Sequence, residues 1–168
     1  HIACLVPQPK LPQNTGELFY DRTYHLEEFA RMGCIPHLIE VNDFFRMKAT
    51  AESVPEVTGS LVAIVDRHNI DVVHAEALYC ARIAAAVKKT RTFVCFSIDW
   101  HGIAPEESRM GGAHDNRVRA LEEEESIMLA ASDINIFVSE AMCGHYSKKY
   151  SNPSKSHVIV PCCVTDQR

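Results

Sequence analysis

Residues 70–98 read IDVVHAEALYCARIAAAVKKTRTFVCFSI. The stretch opens on the run Ile70-Asp71-Val72-Val73-His74-Ala75 and passes through an alanine-rich segment from Leu78 to Lys89. It closes on Thr92-Phe93-Val94-Cys95-Phe96-Ser97-Ile98. β-Branched side chains fit a pleated surface, whereas alanine gives up least on entering a helix. The stretch therefore predicts strand, helix, strand. A helical crossover returns the chain to the end of the sheet where it began, so the two strands run parallel. Both strands are near-continuous apolar runs rather than alternating ones, as expected where helices cover both faces of a parallel sheet.

The alternation extends in both directions. Upstream, Ile2-Ala3-Cys4-Leu5-Val6 predicts a first strand stopped by Pro7. A polar loop from Gln8 to Glu17 follows, holding Pro9, Pro12 and Gly16. A helix is expected from about Phe19 to Met32, ended by Gly33, and a strand from about His37 to Val41. Val57, Leu61, Ile64 and Val65 fall at helical spacing, which predicts a helix from about Pro55 to His68. Downstream, Asp99 to His114 is rich in Gly and Pro and reads as irregular. A helix from about Asp115 to Ala131 follows, then a strand from Ile134 to Val138. A helix to Tyr150 begins behind Ser139, whose hydroxyl can accept from a free amide of the first turn. The last strand is His157 to Val160, stopped by Pro161. The expected fold is an α/β domain: a doubly wound, Rossmann-like parallel sheet with helices on both faces, in a single domain.

Composition narrows the function. The chain has 168 residues, which suits one domain. Its formal net charge of −5 offers no basic face to replace the counterions of nucleic acid, so a nucleic-acid partner is not expected. The seven cysteines are odd in number, and several sit in apolar runs. That pattern fits thiols in a reducing compartment better than a disulfide framework. Adjacent Cys162 and Cys163 are poorly spaced to share one zinc. With no signal peptide and no long apolar stretch, the expected location is cytoplasmic. The first residue is His1 and not Met, from which a processed or trimmed N-terminus is expected.

In open parallel sheets the ligand crevice lies outside the carboxyl ends of the strands, and that rule selects the residues with chemistry. The first loop carries no G-x-G-x-x-G and no G-x-x-x-x-G-K-[ST], so the usual cradles for nicotinamide dinucleotides and nucleoside triphosphates are missing. Gly16 lets a substrate approach the backbone, or is a plain turn glycine. The run Ser97-Ile98-Asp99-Trp100-His101-Gly102 with Pro105-Glu106-Glu107 is the most informative. It puts a carboxylate, an imidazole and a glycine at a strand's carboxyl end. His101 can donate to a sugar hydroxyl or act as a general base, and Asp99 can orient it or bind a hydroxyl. The bland alternative is that both only cap the loop. Glu76 at the crevice edge is a candidate hydroxyl ligand, whereas His74 is expected to satisfy local backbone groups. Of Glu122 to Glu125, one carboxylate can face inward, because four successive helix positions cover every face. Lys148, Lys149 and Lys155 form a small basic patch. It complements a helix dipole or meets an anionic membrane surface, at the inner face if the protein is peripheral.

The order of these motifs resembles a family. Asp71-Val72-Val73-His74-Ala75, Asp99-Trp100-His101-Gly102 and Ala131-Ser132-Asp133-Ile134-Asn135-Ile136-Phe137-Val138-Ser139-Glu140 are similar, in sequence and spacing, to the N-terminal domain of the retaining family four glycosyltransferases of GT-B fold. Val160 to Asp166 resembles the segment leading into the second domain of such enzymes. The resemblance implies a domain over 1–161 and the start of a linker over 162–168. It implies a cleft enzyme of hexosyltransferase type with no metal or other cofactor. The N-terminal half would hold the acceptor, a sugar or lipid-linked glycan in polysaccharide biosynthesis. The other half would hold a nucleotide-diphosphate sugar. His101 would lie near the transferring sugar, with Asp99 beside it. Gly16, Glu76, Gly102, Ser139 and Glu140 would contact substrate. The first loop has one glycine where the family commonly has a pair, and Glu76 stands where many members carry a second His. Residues 1–168 alone are expected to be inactive. Two other readings compete: a metal-dependent hydrolase built on His74, Asp99 and His101, and a non-catalytic α/β ligand-binding module.

Overall fold

The computed structural model describes residues 3–9, 27, 30–33, 35–41, 53–151 and 156–161. The chain divides into two compact units, His1–Asp71 and Val72–Arg168. The fold class is the expected one, Rossmann-like α/β, and every strand pairing is parallel.

In the first unit, β1 (Ala3–Pro9) pairs with β2 (Ile35–Val41), Ala3 opposite Ile35 and Pro9 opposite Val41. Pro7 does not stop β1, contrary to the expectation from sequence. Alternate residues of a strand point their amides to the same side, so Pro7 and Pro9 can both turn their missing donors away from β2. Before β2, Glu27, Ala30 and Arg31 are helical. Gly33 ends that turn in the left-handed region (φ 80°), with its amide donating to the Ala30 carbonyl at 3.0 Å. The rest of the helix expected over 19–32 lies outside the described residues, as do Gly16 and 162–168. Helix α1 (Ser53–His68) buries Val57 and Val65. The Ile70 amide returns to the Val65 carbonyl at 3.0 Å, fixing the exit from the helix.

The second unit holds β3 (Val72–Glu76), α2 (Ala77–Thr90), β4 (Cys95–Trp100), α3 (Ala104–Met110), α4 (Asp115–Ala131), β5 (Ile134–Phe137), α5 (Glu140–Tyr150) and β6 (Ser156–Ile159). The sheet order is β3-β4-β5-β6, the order of the sequence. Parallel crossovers are right-handed, so strands laid down in one direction place their connecting helices on one face. That face carries Val73, Ala75, Phe96, Ile98, Trp100 and Phe137, all buried. Against it lie α2, whose Leu78, Ala81, Ala84 and Val87 are buried, and α5, whose Tyr146 meets Trp100 and Phe137 at ring-centroid distances of 4.9 and 5.4 Å, while α4 packs on α2 and α3 with Leu121 buried. The other face carries Val72, His74, Glu76, Ser97, Asp99 and Ile136.

The stretch 99–114, read from sequence as irregular, contains α3. Its seven residues are too few for a hydrophobic period to show. Its markers are local instead: Pro105 in the first turn, Glu106 and Glu107 beside it, and Gly111 at the end.

Asp133 explains one part of the sequence pattern. Its Oδ2 accepts from the Phe96 amide at 2.8 Å and pairs with Lys88 Nζ at 2.9 Å, and its own amide donates to the Phe96 carbonyl at 2.8 Å. This clamp joins the amino ends of β4 and β5. Deeper in, Trp100 Nε1 donates to Asn135 Oδ1 at 2.9 Å, and Ser132 Oγ lies 3.0 Å from the same oxygen. The buried polar atoms of these residues are thus matched to one another.

Candidate active site at the carboxyl ends of the strands

The second unit brings Glu76, Asp99, His101, Gly102, Ser139 and Glu140 to the carboxyl ends of three neighbouring strands. Asp99 is the last residue of β4 but one. Its register partners are Glu76 on β3 and Ile136 on β5, so these positions share a face. Asp99 Oδ2 lies 3.5 Å from His101 Nε2. Its other oxygen, Oδ1, is buried and accepts no hydrogen bond from the described residues. A buried acceptor without a partner is costly, and a ligand hydroxyl relieves that cost. The His101 side chain is 51% exposed and stands where β4 has just ended.

Gly102 is held by close approach. A β-carbon there would overlap the Glu107 carboxylate. Glu107 Oε1 accepts from the Ile103 amide at 3.2 Å, so it cannot swing aside without losing that bond. Tyr146 Oη reaches the Gly102 carbonyl at 3.1 Å. The loop carrying His101 is therefore fixed from two sides.

Glu76 is exposed and ends β3. The next residue, Ala77, opens α2 in the left-handed region, at φ 60°. A β-carbon is disfavoured there, so the strand-to-helix turn beside Glu76 is strained. Ser139 Oγ accepts from the Met142 amide at 3.2 Å, the cap expected from sequence. Glu140 is exposed in the first turn of α5, where its charge complements the helix dipole.

His74 Nδ1 lies 2.9 Å from Ser97 Oγ on the neighbouring strand, a side-chain partner and not the local backbone group expected of it. The three side chains of the metal-hydrolase reading are not gathered: His74 faces Ser97, and Asp99 faces His101. Among the described residues, no three His, Cys, Asp or Glu side chains are arranged to hold a metal ion.

The inward carboxylate of the Glu122–Glu125 run is Glu125, which is fully buried. Its partners, Tyr146 and Tyr150, carried no signal in the sequence until α4 and α5 were packed together. Lys149, read as part of a basic patch, instead reaches Glu106 at 2.8 Å and Glu122 at 3.0 Å. Arg109 joins both carboxylates. The hydrogen bond from Lys149 holds Glu106 and Glu122 below the ordinary carboxylate value, despite some opposing desolvation. Burial alone would lower the Lys149 pKa, but these two bonds outweigh it and hold the amine higher.

The sequence profile of Glycosyltransferase Family 4 matches residues 18–168. The chain belongs to glycosyltransferase family 4. The resemblance read from motif order is thereby borne out, and the domain is a glycosyltransferase domain of Rossmann-like fold. Comparison with curated proteins gives no match. No described helix of this family 4 domain is long and apolar enough to cross a membrane. The family's aspartate before the β5 strand is the Asp133 clamp, and its Val-Ser step places the cap of α5.

Proposed function

We propose that this domain is the acceptor side of a cytoplasmic hexosyltransferase that moves a sugar from a nucleotide-diphosphate sugar to a glycan or lipid-linked acceptor. The observation that carries the reading is the Asp99–His101 pair at the end of β4, with Asp99 Oδ1 buried and unpartnered among the described residues. Asp99 on Nε2 favours the tautomer with its proton there and leaves Nδ1 to accept from a sugar hydroxyl. Oδ1 accepts from a second hydroxyl. The charge around them supports an acceptor rather than a diphosphate. Glu76, Asp99, Glu107 and Glu140 are carboxylates, and His101 is the one imidazole among these strand-end residues. Such a set receives hydroxyl groups well and repels phosphate.

In the full-length enzyme, His101→Ala is expected to lower kcat by roughly 100-fold or more, the usual range for a lost acid–base group. The melting temperature should not change, because the ring is half exposed. Turnover near that of the parent would remove His101 from the reaction. Residues 1–168 alone are expected to transfer no sugar, since stabilising a leaving diphosphate requires donors that this carboxylate-rich end does not supply. A transfer assay with radiolabelled nucleotide sugars checks this, and measurable product would overturn the acceptor-side assignment.

A further inference from the structure

Glu125 sits beneath the site, in a cluster whose protons can be counted. Its Oε1 lies 2.8 Å from Tyr146 Oη, and its Oε2 lies 2.6 Å from Tyr150 Oη. Tyr146 Oη is also 3.1 Å from the Gly102 carbonyl. Glu125 is 0% and Tyr146 2% exposed, so water does not share the Glu125–Tyr146 contact. A phenol carries one proton. The Gly102 carbonyl can only accept. If Glu125 were a carboxylate, Oε1 could only accept as well, and Tyr146 would face two acceptors with one proton. One short oxygen–oxygen contact would then be left without hydrogen, inside a buried cluster. If Glu125 is a carboxylic acid, every contact is filled. Oε1–H donates to Tyr146, Tyr146 donates to the Gly102 carbonyl, and Tyr150 donates to Oε2.

We propose that Glu125 is held as the neutral acid, and that its proton, passed on through the Tyr146 hydroxyl, ties the His101-bearing loop to α4 and α5. Glu125 and Tyr146 are then positioning residues for that loop. The neighbouring charges agree with this assignment. Burial is the largest influence on Glu125 and raises its pKa, against the opposing influence of its contacts with Tyr150, Tyr146 and the Ala104 amide. A cation acting on it, Lys149 of α5, is claimed by Glu106 of α3 and Glu122 of α4. Glu107 of α3 adds negative charge near Tyr146, and the His145 ring of α5 meets the Tyr146 ring edge-on at 5.8 Å. Removing the Glu125 proton turns the Tyr146 hydroxyl toward the carboxylate and frees the Gly102 carbonyl. The tether is therefore a switch that opens as pH rises.

The test is carbon NMR of the full chain labelled at the glutamate carboxyl carbons. One glutamate is expected to keep the chemical shift of the protonated acid at pH 7 while the others show the anion. Glu125→Gln should delete that signal and leave the Gly102 amide and His101 ring resonances in place, because its amide donates from the same position. Tyr146→Phe should shift both sets, having lost the donor to Gly102. A parent chain with every glutamate ionised at pH 7 overturns the proposal, and that measurement needs no variant. So does a folded Tyr146→Phe chain whose Gly102 and His101 resonances match the parent's. The role of His101 in transfer is a separate reading: normal turnover by His101→Ala would end that reading and leave the Glu125 proton untouched.

Discussion

Gly102 is a glycine because Glu107 occupies the space a β-carbon would need. Gly102→Ala should therefore cost about 0.5–1.5 kcal/mol, because the exposed end of Glu107 can move aside and what is lost is its hydrogen bond to the Ile103 amide. Glu107→Ala in the same chain should recover part of the loss, and a double-mutant cycle by chemical denaturation measures the coupling. Ala77 is the opposite case, a backbone that would suit glycine but carries a methyl group at φ 60°. Ala77→Val should destabilise by at least about 1–2 kcal/mol, because a β-branched residue is poorly tolerated in that region. Thermal unfolding checks it, and an unchanged melting temperature would show that the turn relaxes. At this scale the sequence was only half legible. Asp99, His101 and Gly102 announced themselves by following a strand. Their partners Glu107 and Tyr146 did not, because the contacts that use them cross from the β4 loop to α3 and α5.

At the scale of elements, α3, α4 and α5 are knotted by two carboxylate groups that titrate in opposite senses. Glu106 and Glu122 are held down by Lys149, so their contribution is present above the ordinary carboxylate value and fades as pH falls through their lowered values. Glu125 is held up, so its contribution is complete in acid and is lost as pH rises through its raised value. Lys149→Met should therefore flatten the acid limb of the stability profile, and Glu125→Gln should flatten the limb at higher pH. Denaturation followed across pH separates the two, and a matching change in both variants would contradict the assignment. The α4 boundaries were readable because seventeen residues give the apolar period room to repeat. Helix α3 was hidden by its brevity, although proline, paired glutamates and glycine marked its ends. The end of β1 was misplaced at Pro7 because proline excludes a hydrogen bond on one side of a strand only.

At the scale of the whole molecule, the class of fold followed from apolar strands separated by helices, and every pairing among the described residues is parallel as that pattern requires. Strand order could not be read in the same way. It depends on which strand next to β4 offers the better neighbour, a long-range choice with no local signature. The sheet of the second unit is nonetheless anisotropic in a measurable way. Strand β4 is paired on both sides and buried at four of its six positions, whereas β6 is paired, among the described residues, only with β5 and is exposed along most of its length. Amide exchange in the native protein should be slowest in β4, slower in β5 than in β6, and fastest at β6 within this sheet. A β6 protected as strongly as β4 would show that the edge is covered by something not yet described.

The Asp133 clamp lies at the amino ends of β4 and β5, and the Asp99–His101 pair emerges at the carboxyl end of β4. Foundation and working surface are thus separated by the length of a strand. A change of side chain at the exposed end meets solvent, not the clamp that holds the strands in register. Under the proposed function, such an architecture would let acceptor preference drift by substitution at positions such as Glu76 or Glu140 while the risk to folding stays low. For an engineer, these exposed ends are the places to randomise, and Asp133 is the residue to leave alone.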